Sequence, residues 1–301
     1  MIRYEFEIKR IDWEERLVGD TETNSAPTFV GSKIQQSFYY NNRLGFLTDD
    51  NVSMSQAGEF FNFYHISAQT VTDADPIDLN CSSIRPAALH GIIPVSSGLI
   101  LFSANQQFVM YSAEGNLAPT TAIIRGISNY EMDTTIDPVD VGTTINFVSK
   151  TPGYTKVFGM TPGREGQIPI VRDVGKVVSE YIPNSVTHLL ASPQNSLIAL
   201  YGNNGDIYFY KTHTDGEEEI MQAWFKWKVP GTVHFLNIDA DSVSCVTKIQ
   251  NNYFILESNL SGTFNSNILL TNEGIGINPY LDLYHTPDNY EWDEPGQSLH
   301  L

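Results

Sequence analysis

The chain has 301 residues, of which 12% are aromatic and only 17% charged, with 22 glycines and 15 prolines. This aromatic, turn-rich balance excludes a disordered chain and favours an all-β protein over a helical one. Thirty-five acidic residues against 17 basic ones leave a formal charge of −18, which excludes nucleic-acid binding through a basic footprint, because neutralising phosphates needs clustered Lys and Arg.

That charge fits either an ordinary solubilising surface or an acidic channel wall that repels a DNA backbone, and composition does not separate the two. Cys81 and Cys245 lie far apart, outside any CxxC or Cys/His spacing, and are expected to be buried thiols rather than a disulfide or a metal site. The N-terminus has no apolar core of signal-peptide length and no stretch approaches a membrane span. The sequence therefore reads as a soluble protein made in a cytoplasm.

In chain order, Met1 to Arg10 alternates Tyr4, Phe6 and Ile8 with charged residues, the pattern of a half-buried strand. Asp20 to Ser25 reads as a polar loop, so residues 1–30 are expected to form an entering strand and loop. Phe38 to Tyr64 carries hairpin grammar: an aromatic alternating run (Phe38, Tyr39, Tyr40), then Arg43-Leu44-Gly45-Phe46-Leu47, a polar turn Thr48-Asp49-Asp50-Asn51, a second alternating run through Ser55, and Gly58 before Phe60, Phe61, Asn62, Phe63 and Tyr64. Arg43 between apolar neighbours is the oddity. Buried, it needs a carboxylate partner, since an unpaired interior charge is costly; exposed, it is an ordinary loop arginine.

Val71 to Asn80 is acidic and broken by Pro76, the pattern of a loop or edge crossing. Within it, Asp73-Ala74-Asp75-Pro76-Ile77-Asp78 fails the calcium-loop pattern, with Ile77 at the fifth position and no glycine at the sixth. Asp75 or Asp78 is instead expected to pair with Arg43 or to cap a turn. Ser83 to His90 is compatible with a short helical turn. From Ile93 the rhythm becomes regular, with strands Ile93–Val95, Leu99–Ser103 and Gln107–Tyr111 separated by short turns. Thr143–Ser149 and Thr155–Met160 repeat it around a Pro152-Gly153 turn.

The best unit has strands Val186–Ala191, Leu197–Tyr201, Ile207–Lys211 and Ala223–Val229, the last two separated by an acidic loop at Asp215–Glu219. Four short strands in this span match one blade of a β-propeller. Phe235–Asp239, Val243–Ile249 and Tyr253–Glu257 supply three strands of another. The sequence thus predicts an irregular propeller of short antiparallel four-stranded blades over residues 1–285, followed by an acidic, mobile tail at 286–301. A β-sandwich of equal strand count is the competing architecture.

Candidate chemistry is sparse. His65, His90, His188, His213, His234 and His285 are scattered without metal-ligand spacing. No nucleophile elbow, phosphate loop or dinucleotide fingerprint occurs. Carboxylates suffice in number for a propeller glycosidase, but no spacing selects a pair. Trp224-Phe225-Lys226-Trp227 could offer a sugar-stacking surface, although strand alternation more simply splits it between core and outer face. No cofactor is implied and no enzyme activity is expected.

The stretch Asn41-Asn42-Arg43-Leu44-Gly45-Phe46-Leu47-Thr48-Asp49-Asp50-Asn51-Val52-Ser53-Met54-Ser55-Gln56-Ala57-Gly58-Glu59-Phe60-Phe61-Asn62-Phe63-Tyr64 resembles the signature of the tail nozzle (tail tubular protein B) family of short-tailed bacteriophages. Trp13-Glu14-Glu15-Arg16, Pro27-Thr28-Phe29-Val30-Gly31, Asp75-Pro76-Ile77-Asp78, Leu99–Ser103, Tyr181-Ile182-Pro183-Asn184 and Trp224–Trp227 follow in family order. Members of that family are much longer, so the resemblance covers their propeller portion. It implies a structural virion protein of the tail, assembled in the host cytoplasm as a homo-hexameric ring that conducts double-stranded DNA without reading it. The partners it implies are the tail adaptor (gatekeeper) protein and tail fibres. A stand-alone propeller that recognises a protein or glycan surface is the alternative reading.

Overall fold

The computed structural model describes residues 7–81, 87–163, 169–215, 218–240 and 242–260, together with the short segments 269–270, 276–277, 291–293 and 298–300. Its core is a row of sheets, each made of consecutive strands. Blade 1 comprises β1 (Ile34–Tyr40), β2 (Arg43–Thr48), β3 (Asn51–Met54) and β4 (Ile77–Asn80), hydrogen-bonded in that order. Blade 2 comprises β5 (Leu89–Val95), β6 (Gly98–Ser103), β7 (Gln107–Ser112) and β8 (Ala122–Ser128). In blade 3, β9 (Val139–Asp140), β10 (Ile145–Lys150), β11 (Thr155–Thr161) and β12 (Ile170–Asp173) are paired in sequence. Blade 4 holds β13 (Val186–Ser192), β14 (Leu197–Gly202), β15 (Asp206–Asp215) and β16 (Glu218–Lys228). Blade 5 has three described strands, β17 (Thr232–Ile238), β18 (Ser242–Ile249) and β19 (Asn252–Asn259). Every pairing is antiparallel.

Sheets of sequence-consecutive strands are propeller blades, and they rule out the sandwich, whose strands cross between two sheets. The apolar residues are divided accordingly. One buried cluster joins blades 1 and 2 through Leu47, Met54, Leu89 and Leu101. A second joins blades 2 and 3 through Ile100, Phe102, Ile145 and Phe147. A third joins blades 3 and 4 through Val148, Val157, Leu189 and Leu200, and a fourth joins blades 4 and 5 through Ala199, Phe209, Leu236 and Cys245. Each central blade is therefore buried on both faces, which is why its strands read as apolar runs and not as strict alternation.

Several expectations need correction. Residues 1–6 lie outside the described part, and Glu7 to Arg10 form no strand; Ile8 is 97% exposed. Alternation specifies a strand only where a neighbour supplies the ladder, and among the described residues none pairs with Glu7 to Arg10. Val71–Asn80 is not wholly a loop, because Ile77–Asn80 completes blade 1 as β4 against β3. Of the suggested helical turn, residues 83–86 lie outside the described part, while Leu89 and His90 open β5. The acidic loop at Asp215–Glu219 contracts into the β15–β16 hairpin, where Thr214 pairs with Glu219 and Asp215 with Glu218. Most of 286–301 is likewise outside the described part, but Glu291–Asp293 pairs with Ser298–His300. Both cysteines are buried and free.

Candidate functional site

The residues singled out in the sequence, Trp224 and Trp227 apart, converge on blade 1. Asn41 and Asn42, both at positive φ (48° and 57°), form the two-residue turn between β1 and β2. Two central residues at positive φ define the type I′ turn, whose twist matches that of the strands and which asparagine tolerates. The turn puts Arg43 at the start of β2, paired with Tyr40. Arg43 is 1% exposed, the largest fully buried side chain among the described residues.

Its partner is not a carboxylate. Nη1 donates to the carbonyls of Ser55 (2.7 Å), Asp75 (2.7 Å) and Ala74 (3.3 Å), and Nη2 donates to that of Asp73 (2.6 Å). One guanidinium thus ties the end of β3 to the segment that leads into β4. Burial lowers the Arg43 pKa and the Asp75 charge opposes that shift; arginine nevertheless stays protonated in proteins. The acidic residues act through other groups. Asp75 is fully buried, and its carboxylate accepts the N–H groups of Thr72 (2.7 Å) and Ile66 (3.2 Å), capping the turn while its carbonyl serves Arg43. Asp78 accepts the Thr28 hydroxyl (2.7 Å) and N–H (2.9 Å) and the Ser53 hydroxyl (3.0 Å), with the Asn51 amide also on it.

The other signature residues complete this node. Leu44 donates its N–H to the Ser55 hydroxyl (3.0 Å), which in turn donates to the Gln56 carbonyl (3.0 Å). Gly45 lies beneath the Phe38 ring, so a Cβ there would collide with it. Gly58, at φ +83°, donates to the Asn42 carbonyl (2.8 Å). Asn62 organises its own loop, with Nδ2 on the Gln56 side chain (2.6 Å) and Oδ1 on the Tyr64 N–H (2.9 Å). Phe60 meets Tyr39 edge-on at 5.5 Å.

On the face of blade 1 turned away from blade 2, Phe46 is covered by an aromatic cluster. Trp13 sits 5.8–6.3 Å from the rings of Phe29, Phe46, Phe61 and Phe63, and Phe46 stacks on Phe63 at 5.5 Å. The N-terminal arm supplies Trp13 and Phe29, and polar contacts pin it. Glu14 N–H donates to the Phe61 carbonyl (3.1 Å), and buried Asn24 bridges the Val18 and His65 carbonyls (3.0 Å each). A cavity of about 750 Å³ opens between arm and blade, lined in part by Trp13, Arg16, Phe29 and Phe61. Trp13 and Phe29 appeared in the sequence only as flanking motifs, and nothing local shows that they cover Phe46. Asn24 carried no signal at all.

Trp224 and Trp227 lie apart from this node, on β16. They point to opposite faces: Trp224 packs toward blade 3 and donates Nε1–H to the Val174 carbonyl (3.0 Å), while Trp227 meets Phe209 at 4.8 Å on the blade 5 side. Both faces are interblade, so the run is not an exposed stacking surface. Among the described residues no group of three or more His, Cys, Asp or Glu could hold a metal ion. His65 Nδ1 stands 3.7 Å from the Asp75 carboxylate, and His188 stacks on Tyr201 at 4.6 Å.

The distinctive residues of this propeller lock one blade to its neighbouring segments. In Arg43 the two Nη groups are spent on carbonyls and the whole side chain is buried, so it is in no position to meet a phosphate. The family described as the bacteriophage nozzle protein matches residues 3–287, and this chain belongs to that family, a component of the phage tail. The chain is 29% identical over 264 residues to tail tubular protein gp12 of Escherichia phage T7; the match covers 87% of this chain and 33% of that protein. The chain thus spans about a third of the length of the curated relative it matches. Similar solved structures include the Neurospora crassa Pan2 WD40 domain (11% identity, 84% of this chain and 67% of that one, TM-score 0.40). Another is Kluyveromyces lactis Hsv2p (7% identity, 71% and 58%, TM-score 0.43).

Proposed function

We propose that this chain is the propeller portion of a tail nozzle subunit, which assembles with its copies into a six-fold ring and lets double-stranded DNA pass during ejection. The observation that supports it best is the family match over residues 3–287 in a chain with 35 acidic and 17 basic residues. A conduit must not retain its cargo: each phosphate contact would add salt-dependent affinity and slow transit. An acidic wall satisfies that requirement. In such a ring the interfaces are heterologous and closed by rotation. The tail adaptor and the tail fibres are the neighbours this role calls for, and residues 286–301 form an appendage to a propeller unit spanning residues 1–285.

Native mass spectrometry of the purified chain, alone and mixed with the tail adaptor protein, tests the proposal. A six-fold ring in either sample is expected. A strict monomer in both would overturn the ring for this chain and favour a solitary propeller that binds a protein or glycan surface. Filter binding of double-stranded DNA at low salt gives a second readout, and tight, salt-sensitive retention would contradict a non-adhesive channel.

A further inference from the structure

The contact between blades 3 and 4 is apolar at its centre and polar at one end. Directly paired residues on neighbouring strands share a face, as do residues two apart on one strand. On blade 3, Val148 pairs with Val157, and both belong to the apolar cluster shared with Leu189 and Leu200 of blade 4. Two residues further along each strand, the same face carries Asn146, paired with Gly159, which pairs in turn with Arg172. Blade 4 answers with Tyr210 and, two residues on, Thr212, which pairs with Gln222. Between these two rows lies a cavity of about 270 Å³.

Three observations mark this cavity as a binding site. Asn146 lines it at 3% exposure, and its side-chain amide has no hydrogen-bond partner among the described residues. A buried polar group left unpaired costs about 1–3 kcal/mol, a penalty that an apolar residue would avoid and a hydrogen-bonding guest removes. Gly159 keeps the floor open, since a Cβ there would stand 3.2 Å from Val174 Cγ1 and 3.4 Å from Asn146 Oδ1. Arg172 lines the cavity and forms no ion pair among the described residues, in a chain of 35 acidic and 17 basic residues. Asp173 spends Oδ1 on the Gly175 N–H (3.0 Å), and Thr144, Thr161 and Thr212 add hydroxyls to the lining.

We propose that this cleft binds an acidic sugar, the hexuronic acid unit of a saccharide, with Arg172 on its carboxylate and Asn146 and the threonines on its hydroxyls. A guanidinium is a planar fork that matches a carboxylate. An amide and hydroxyl groups both donate and accept, as the hydroxyls of a sugar ring require. One guanidinium beside the single carboxylate of Asp173 leaves the cleft close to neutral. That balance suits a hydroxylated monoanion and disfavours a phosphate dianion. The site lies within one chain and does not depend on ring assembly.

Saturation-transfer difference NMR on the purified chain tests the proposal. The probes are the methyl glycosides of glucuronic, galacturonic and mannuronic acid, each beside its neutral hexoside, and glucose 6-phosphate. At least one uronide is expected to receive saturation, with its neutral counterpart bound about tenfold more weakly. Arg172→Gln, at an exposed position, is expected to weaken the uronide about tenfold and to leave the melting temperature unchanged. Gly159→Ala places a methyl group against Asn146 and Val174 and is expected to weaken uronide and neutral sugar alike. Should that variant melt early, Arg172→Gln alone decides. Absence of saturation on every uronide would overturn the proposal, as would equal binding of uronide and neutral sugar. Uronide binding unchanged by Arg172→Gln would place the ligand elsewhere and overturn the site. Tighter binding of glucose 6-phosphate than of any uronide would overturn the sugar carboxylate in favour of a phosphate.

Discussion

Replacing Arg43 with alanine tests the node around which blade 1 is built. The side chain satisfies three carbonyls at 2.6–2.7 Å and approaches a fourth at 3.3 Å, at 1% exposure. A buried acceptor left without a donor costs about 1–3 kcal/mol, and the alanine also leaves a void. The expected loss is therefore about 3–5 kcal/mol, the scale of removing one member of a buried charged contact. Arg43→Met, which keeps much of the volume and removes the donors, is expected to retain most of that loss. Arg43→Lys, a compact ammonium that cannot span the same carbonyls, is expected to lose about 1–3 kcal/mol. Urea unfolding followed by tryptophan fluorescence and circular dichroism measures all three. A loss under about 0.5 kcal/mol for Arg43→Ala, the range of an ordinary surface substitution, would refute the reasoning.

The remaining predictions concern packing and pH. Gly45→Ala drives a methyl group into the Phe38 ring and is expected to cost about 1–3 kcal/mol by overpacking, read as a lower melting temperature. Trp13→Ala removes one half-exposed ring from four aromatic contacts and is expected to cost about 1–2 kcal/mol, with faster trypsin cleavage after Arg16 as the arm loosens; an unchanged cleavage rate would place the arm's anchorage elsewhere. Burial, reinforced by the Asp50 charge, pushes the Cys81 thiol up to about 12. Its folded pKa thus exceeds the unfolded value of about 8.5, so the folded state holds the proton longer and the contribution is fully present below pH of about 8.5. Stability is expected to fall as pH rises from there toward 12, and the buried tyrosines Tyr201 and Tyr208, also raised by burial, act in the same direction. Melting temperatures in buffers from neutral to alkaline pH check this, and a Cys81→Ala variant with an unaltered pH profile would remove Cys81 from the explanation.

How much of this was legible beforehand differs from residue to residue. The all-β class, the hairpin rhythm from Ile93 onward and the strands of blade 4 follow from turn residues and apolar runs, because hairpin formation is local chemistry between neighbours in sequence. Arg43 was conspicuous for the same reason, as a charge among apolar neighbours. Of its partners only Asp75 was named from the sequence, and through its carboxylate; Ser55, Asp73, Ala74 and Asp75 all serve Arg43 through backbone carbonyls, and every residue has one. Alternation around Ile8 suggested a strand, but the described residues Glu7 to Arg10 form none, because a ladder needs a second strand that no local pattern supplies. Only the tertiary structure decided that Trp13 and Phe29 cover Phe46 and that Trp224 and Trp227 face different neighbours. In each case the deciding contact joins segments far apart in the chain, where burial depends on which blade stands alongside.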